Sequence, residues 1–277
     1  MRLRDLIVVW VVLFAPAVQA LQPAATLPPG SVKFRIATFD LGGVTTADLA
    51  AADVSRVREL AQAIQRIRPQ VLLLSGLAYD MPGAPGVSAK DTPGTNAKRF
   101  VQEYLQVAQA PDLPPLRYRI FVDQPNSGVP SGFDLNHDGK IATEFPLAAD
   151  TPEQLLARAA YSADCWGPGD YPGQRGMALL VDERLEIKTS ELRTFRKLPW
   201  SYMDAAYLPV GPDQKPLYTE EEKAAARLSS VGHWDVPIVL PNKSVVHVLC
   251  SNPVPPSPAG PADINARRNH DEIRFWA

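Results

Sequence analysis

One stretch of the chain carries side-chain oxygens at the spacing of a calcium-binding loop. Asp134, Asn136 and Asp138 alternate along the sequence, and a glycine follows them. This pattern is typical of the first half of a Ca²⁺ loop, whose seventh position, here Lys140, contributes a backbone carbonyl. The twelfth position holds Phe145 instead of the usual Glu. The stretch therefore predicts a weak structural Ca²⁺ loop or, alternatively, an Asn/Asp/Gly turn that binds nothing.

Three further positions are candidates for a ligand site because of where they lie relative to predicted strands. Asp40, Gly76 and Asn252 each follow a strand-like run. Ligand sites in α/β proteins gather at the carboxyl ends of strands. Asp40 is accordingly a candidate metal ligand, with a turn-forming role as the alternative.

The pair His233 and Asp235, two positions apart in the sequence, is a candidate for catalysis. The alternative for His233 is a hydrogen-bonded structural histidine, and His247, in mid-strand, is expected to be structural as well. The sequence has no nucleophile elbow, nucleotide-binding glycine loop, zinc spacing or dinucleotide fingerprint.

The elements that must position these residues begin with a crossover unit. Residues 34–39 alternate as a strand, residues 47–68 carry one helical apolar stripe that Pro69 ends, and residues 70–75 form an apolar run without a polar face. Strand, helix and buried strand in this order predict a sheet that is covered by helices.

The middle of the chain predicts further elements and two long loops. We expect helices at 95–109, 151–160 and 219–228, a strand at 117–122, loops at 123–145 and 197–220, and an antiparallel pair of strands at 177–181 and 185–195. Loops of this length in a compact domain are commonly functional.

The last forty-five residues predict a β-hairpin and a helix. Residues 236–240 and 245–251 flank a Pro-Asn-Lys-Ser turn, and the second strand delivers Asn252 at its end. Asp263 is positioned to cap a helix with Ile273, Trp276 and Ala277 on one stripe. Because this stripe has just begun where the sequence stops, we expect the domain to be truncated.

The N-terminal residues predict export. Residues 1–20 combine a short basic start, an apolar core and small residues before Ala20, as in a cleaved signal peptide, so no transmembrane anchor is expected. Residues 21–32 are a Pro/Ala linker, and 33–277 form one domain in a secreted or periplasmic protein. The mature chain has 26 basic and 29 acidic residues, which does not suggest a polyanion-binding surface but leaves room for a small phosphate site.

The chain has two cysteines, Cys165 and Cys250. An oxidising compartment allows one disulfide between them. Alternatively, Cys250 is a small buried residue in the middle of its strand.

The motifs resemble, in order over residues 33–277, the secreted bacterial branch of the endonuclease/exonuclease/phosphatase superfamily, which is related to deoxyribonuclease. The segments that carry the resemblance are RIATFDLGG, RPQVLLLSGLAYD, VPSGFDLNHDG, YPGQRGMALLV, RTFRKLPW, RLSSVGHWDVPI, VHVLCSNPVPP and GPADINARRNHDEIRFW. The resemblance implies a four-layer α/β sandwich, here incomplete at its C-terminal part. It also implies Mg²⁺- or Mn²⁺-dependent hydrolysis of a phosphoester of unknown class.

The departures from the family pattern fall on the chemistry. The family has Asn where Asp40 stands, a metal-binding Glu where Gly76 stands and His where Asn252 stands. The remaining site would then consist of Asp40 as a metal ligand, His233 and Asp235 near a phosphate, and Asn252 as a hydrogen-bond donor.

Three hypotheses follow from these departures. The chain is a degenerate phosphohydrolase, a non-catalytic secreted binding module, or a fragment of an interrupted gene. In the last case a companion polypeptide would carry the missing half.

Overall fold

The computed structural model of the chain describes residues 34–51, 55–146 and 148–277. This part is a mixed α/β structure with two four-stranded sheets and six α-helices. The predicted signal peptide and linker lie outside the described residues. Among the described residues, no helix combines the length and the apolar character needed to cross a membrane.

The first sheet has the strand order β1-β2-β4-β3. Its strands are β1 (Ile36–Val44), β2 (Val71–Leu77), β3 (Tyr118–Phe121) and β4 (Gly176–Asp182). β1 and β2 run parallel, whereas β4 is antiparallel to both of its neighbours. The predicted crossover unit is therefore confirmed.

Both strands of the crossover extend beyond the predicted runs. Asp40 lies inside β1 and Gly76 inside β2, so neither residue follows its strand. A bulge interrupts the pairing between Asp40 and Val44. Bulges bend a strand and re-aim side chains, and they are frequent beside functional sites.

The predicted helix at 47–68 is divided into α1 (Thr46–Ala50) and α2 (Ser55–Ile67). α3 (Asn96–Phe100) continues as a π-helix (Val101–Leu105). These elements pack on one face of the first sheet through a core that includes Leu49, Ile64, Phe100, Leu72 and Leu180.

The second sheet is organised around β7 (His233–Val239). β5 (Glu186–Ile187), β6 (Arg193–Thr194) and β8 (Val245–Ser251) all pair with it in antiparallel fashion. The hairpin prediction is thus confirmed. The predicted pairing of 185–195 with 177–181 is wrong, because a local apolar pattern shows that a strand exists but not which strand it pairs with.

The two sheets share a second core. Met177 and Leu179 of β4 contact the same cluster as Trp234, Val236 and Cys250 of the second sheet. Because side chains alternate along a strand, β4 serves both cores and is buried almost throughout. The four-layer sandwich implied by the resemblance remains a prediction.

The three remaining helices are α4 (Pro152–Ala163), α5 (Glu220–Ala225) and α6 (Ile264–Arg274). Capping boxes at Thr151 and Thr219 begin α4 and α5. In α6 the expectation is wrong on two counts. Asp263 has a left-handed backbone and makes no capping hydrogen bond, and Ile273 is 59% exposed.

The buried residues of α6 are charged ones: Arg268, Asp271 and Glu272. An apolar-stripe argument misses such a helix, because these side chains are buried through hydrogen bonds rather than through the hydrophobic effect. Cys165 and Cys250 are both buried and unpaired, in agreement with the alternative to a disulfide.

Candidate functional site

A cleft of about 320 Å³ lies where three of the sequence motifs meet. Asp40 from β1, Gly76 from β2 and Asn252 after β8 all line it. The three positions that the sequence singled out beside strand ends are therefore neighbours in space, although they are up to 212 positions apart in the chain. Arg175, just before β4, completes the polar lining.

The bulge of β1 orients Asp40. The Oδ1 atom of Asp40 accepts a hydrogen bond from the backbone N–H of Gly42 at 2.8 Å. Arg56 of α2 stabilises the bulge, since its Nη2 donates hydrogen bonds to the backbone carbonyls of Leu41 at 2.6 Å and of Gly42 at 2.7 Å. The carboxylate of Asp40 is exposed to the cleft in a fixed local geometry.

Gly76 is a position without room for a side chain. A Cβ atom added there would lie 2.2 Å from Oδ1 of Asp40 and 2.9 Å from the backbone nitrogen of Gly42. Its φ of +65° also favours glycine. Since the clash involves backbone as well as the Asp40 carboxylate, a second carboxylate cannot enter from this position while Asp40 keeps its place.

Asn252 is partly buried and also lines the cleft. Its backbone carbonyl accepts a hydrogen bond from Oγ of Ser230 at 3.4 Å, and its side-chain amide makes no hydrogen bond to any described residue. This amide is available to a ligand as both donor and acceptor. The apolar lining of the cleft includes Val231, Val254 and three prolines.

Arg175 was not identified from the sequence, although it lies in the quoted segment YPGQRGMALLV. Its backbone N–H donates to Oγ of Ser127 at 3.3 Å, and its guanidinium forms no ion pair with a described residue. An exposed, uncompensated guanidinium suits an oxyanion with two acceptor oxygens. That this guanidinium lines the cleft without an ion-pair partner could be recognised only from the folded structure.

A buried carboxylate lies behind the wall of the cleft. Glu272 of α6 accepts from the backbone N–H of Ser230 at 2.6 Å, from Oγ of Ser230 at 2.7 Å and from the backbone N–H of Val254 at 2.7 Å. Ser230 and Val254 both line the cleft. Glu272 therefore ties two segments of the wall to the helix.

Burial raises the pKa of Glu272 to about 7, against the opposing effect of its hydrogen bonds from Ser230 and Val254. The group consequently titrates near neutral pH. Sequence reasoning missed Glu272 because a charged residue in a polar helix is normally a solvated one.

His233 does not line the cleft. It is fully buried, with Nδ1 2.7 Å from Oγ of Ser229 and Nε2 2.9 Å from the backbone carbonyl of Glu272. Because a carbonyl only accepts, Nε2 carries the proton and Nδ1 accepts from the serine hydroxyl. Burial lowers the pKa of His233 to about 4, so the ring is neutral. These contacts are those of a structural histidine.

Asp235 does not line the cleft either. Its carboxylate accepts from Nδ1 of His247 at 2.6 Å and from the guanidinium of Arg193. Burial alone would raise its pKa, but the hydrogen bonds from Arg193 and His247 outweigh burial and lower it. The structure thus brings Asp40, Gly76 and Asn252 together and leaves His233 and Asp235 outside this group.

The predicted calcium loop is folded as a series of side-chain-to-backbone turns. Asp134 accepts from the backbone N–H of Gly139 at 2.8 Å, Asn136 from that of Asp138 at 2.8 Å, and Asp138 from that of Lys140 at 2.9 Å. A carboxylate has about four lone-pair sites. These hydrogen bonds therefore leave oxygen positions open to a cation, and Ca²⁺ binding stays a prediction.

The loop is also anchored from the interior. The buried Asp164 accepts from the backbone N–H groups of Leu135 at 2.9 Å and of Ala142 at 2.8 Å. Burial raises the pKa of Asp164 in spite of these hydrogen bonds. Within the part of the chain that the structure describes, no cluster of three His, Cys, Asp or Glu side chains is arranged to hold a metal ion.

The described residues form a mixed α/β structure with a cleft that Asp40, Gly76, Arg175 and Asn252 line. No protein-family model and no curated protein sequence matches the chain. Among solved structures, it is similar to the crystal structure of endonuclease/exonuclease/phosphatase from Beutenbergia cavernae DSM 12333, with a TM-score of 0.40 and 14% identity. The match covers 87% of this chain and 42% of that chain, so the chain spans less than half the length of that structure.

Proposed function

We propose that the chain is a member of the endonuclease/exonuclease/phosphatase superfamily whose cleft binds a phosphoester and hydrolyses it at little more than the background rate. One observation carries the proposal. Three motifs of the sequence resemblance, those that contain Asp40, Gly76 and Asn252, converge on a single cleft. Segments that resembled the family's motifs only by chance would have no reason to converge in this way.

In this proposal Arg175 pairs with the phosphoryl oxygens and the amide of Asn252 donates a hydrogen bond to them. A guanidinium forms the stronger of these contacts, because it is charged and presents a planar fork of donors. Val231, Val254 and the prolines of the wall contact the apolar part of the ester. The cleft therefore favours an organic phosphoester over bare phosphate.

The donor set fits a weakly held Mg²⁺ or Mn²⁺ ion. Asp40 would hold it together with the amide oxygen of Asn252, and these are hard oxygen donors of the kind that Mg²⁺ accepts when a substrate phosphate completes its coordination. The ion would supply positive charge against the phosphoryl group. Without it, the negative charge of Asp40 opposes binding of an anion.

Apart from Asp40, which would be bound to the metal ion, the cleft lacks a group to carry a proton. Asp40 and Arg175 are its ionisable residues among the described lining, and a guanidinium does not act as a proton carrier in proteins. His233 is buried outside the cleft, and Asn252 does not titrate. General acid/base catalysis contributes about 10²–10⁴ in rate, so we expect binding with little turnover.

The test measures binding and turnover on the same preparation. Calorimetry with diphenyl phosphate and Mg²⁺ should show binding that Arg175→Gln and Asp40→Asn weaken, while Arg184→Gln, an exposed arginine outside the cleft, does not. Release of 4-nitrophenolate from bis(4-nitrophenyl) phosphate should stay near background. Chelator-sensitive turnover that Asp40→Asn abolishes would identify a true hydrolase, and equal binding by wild type and Arg175→Gln would place the ligand elsewhere.

Restoring the family residues will not restore hydrolysis. The double variant Gly76→Glu, Asn252→His must displace the Asp40 carboxylate, because any side chain at position 76 begins 2.2 Å from Oδ1 of Asp40. Recovery of metal-dependent turnover in this variant would show that the bulge around Asp40 rearranges freely.

Export is part of the proposal. The protein is secreted or periplasmic, with cleavage after Ala20. Mass spectrometry of the exported protein should give an N-terminus at Leu21, and an intact Met1 would contradict it.

A further inference from the structure

The segment of the cleft wall that contains Asn252 has no backbone hydrogen bonds to the rest of the sheet. This 252–255 segment follows β8, and all of its residues line the cleft. Pro253 and Pro255 have no N–H to donate, and no backbone–backbone hydrogen bond from the described residues reaches the segment. Because backbone polar groups of a folded chain need partners, other groups must hold the segment in place.

Helix α6 binds both backbone groups of Val254. The carbonyl of Val254 accepts from Nδ2 of Asn269 at 2.7 Å, and its N–H donates to Oε2 of Glu272 at 2.7 Å. Glu272 also accepts from Ser230, whose Oγ lies 3.4 Å from the carbonyl oxygen of Asn252. Among the described residues, each hydrogen bond to the backbone of the 252–255 segment thus comes from α6 or from a serine that α6 holds.

The spacing of residues on α6 explains this contact. Asn265, Asn269 and Glu272 follow one another at intervals of four and three, so they share one face of the helix. Nδ2 of Asn265 also donates to a backbone carbonyl, that of Pro258, at 2.9 Å. Pro258 is not part of the cleft lining. One helix face therefore carries two similar asparagine contacts, of which one reaches the cleft wall.

The position of the Asn252 side chain depends on this support. Its amide makes no hydrogen bond to a described residue, so the backbone of the 252–255 segment determines where the amide lies. A binding group must be held within about 0.5 Å of its productive position to contribute fully. Contacts that fix Val254, two residues away, consequently affect what Asn252 can contribute.

We propose that Asn269 and Glu272 are positioning residues of the cleft, which place Asn252 for a ligand by holding Val254. Neither residue lines the cleft itself, so both act through the 252–255 segment. The inference rests on the function proposed above, in which Asn252 contacts the phosphoester. Because energetic coupling is reciprocal, a ligand bound to Asn252 in turn stabilises the contact between α6 and the cleft wall.

Calorimetry with diphenyl phosphate and Mg²⁺ tests the effect on affinity. Asn269→Ala should weaken binding about fivefold, which corresponds to one neutral hydrogen bond. Asn265→Ala is the matched control, because it removes the same kind of contact from the same helix face outside the cleft, and it should bind as wild type does. Asn269→Gln keeps an amide donor on a longer side chain and should recover part of the lost affinity.

A double-mutant cycle shows whether the effect passes through Asn252. In an Asn252→Ala background, Asn269→Ala should weaken binding much less than it does in wild type, since the positioned group is gone. Equal losses in both backgrounds, or an equal loss in Asn265→Ala, would overturn the proposal. Should Asn269→Ala not fold, Asn269→Asp takes its place, because an ionised carboxylate of similar size has no N–H to donate.

Hydrogen exchange of the Val254 backbone N–H separates this proposal from the function proposed for the cleft, because it needs no ligand. Exchange should be about fivefold faster in Asn269→Ala than in wild type and unchanged in Asn265→Ala. Accelerated exchange without any binding by wild type would refute the proposed function but support the hold of α6 on the cleft wall. Binding by wild type with unchanged exchange in Asn269→Ala would refute the positioning role alone.

Discussion

Replacing Glu272 with Gln should change how stability depends on pH. The carboxylate of Glu272 is fully buried, and three hydrogen bonds from Ser230 and Val254 do not compensate for its lost hydration, so its pKa is about 7 instead of 4.5. At neutral pH a substantial fraction of the folded protein therefore holds an ionised carboxylate in an unfavourable place. A Gln side chain at position 272 has nearly the same shape as Glu but does not ionise.

The sign and size follow from linkage. Between pH 4.5 and about 7 the folded chain binds a proton at Glu272 that the unfolded chain has released. The stabilising effect of this proton is fully present below pH 4.5 and is lost as the pH rises through 7. With about 1.4 kcal/mol for each unit of pKa difference, the loss is about 3 kcal/mol.

His233 acts in the opposite direction over nearly the same range. Its pKa is about 4 in the folded protein against 6.5 ordinarily, so the unfolded chain binds the extra proton. Its contribution is present above pH 6.5 and is lost as the pH falls through 4, again by about 3 kcal/mol. Between pH 4.5 and 6.5 the free energy of unfolding falls with pH because of Glu272 and rises with pH because of His233. In Glu272→Gln only the rise caused by His233 remains.

Urea unfolding at a series of pH values from about 4 to 8 measures this effect. The difference between Glu272→Gln and wild type should shift by about 3 kcal/mol in favour of the variant as the pH rises. Glu220→Gln, at a side chain that is 89% exposed, should give a flat difference curve. A flat curve for Glu272→Gln as well, or a shift in favour of wild type, would show that the hydrogen bonds outweigh burial and that the reasoning is wrong.

Three other outcomes are expected. Gly76→Ala should be less stable to urea than Gly86→Ala. Both residues have a positive φ, for which the backbone effect alone is about 1 kcal/mol, but a Cβ at 76 would clash with Asp40 whereas one at 86 meets nothing within 4 Å. Equal losses of stability in the two variants would disprove the clash. Calorimetry at millimolar Ca²⁺ should show weak binding that Asp138→Ala removes, and identical traces would disprove the Ca²⁺ loop. Neither cysteine should react with a thiol reagent before unfolding, because burial raises both pKa values to about 12; rapid labelling of the native protein would contradict this.

Much of the fold was accessible from local patterns. The crossover of β1, α2 and β2 was predicted because its helical stripe and its apolar run have different periods, and each identifies its element without reference to the rest. The hairpin of β7 and β8 was predicted because two strand-like runs flank a Pro-Asn-Lys-Ser turn. The partners of β5 and β6 were not, because pairing between distant segments depends on the whole core.

The candidate site divides along a similar line. Asp40 and Asn252 were found because each follows a strand-like run in the sequence, although β1 continues beyond Asp40. Arg175 and Glu272 were missed because the features that single them out, a missing acidic partner and burial, are visible only in the folded structure. Arg175 has no acidic partner among the described residues, and Glu272 is buried under two loop segments.

The relation between Asp40 and Gly76 shows why substitutions at a site cannot be evaluated one at a time. From the sequence, Asp in place of Asn and Gly in place of Glu are two separate departures from a family pattern. In the structure the two positions are coupled, because the carboxylate of Asp40, held by the N–H of Gly42, occupies the space that a side chain at position 76 would enter. The glycine is required by the aspartate, and the positive φ at 76 accommodates the bulge that orients it. The cleft is therefore a self-consistent arrangement built around one carboxylate, and a ligand that binds there must be suited to that carboxylate.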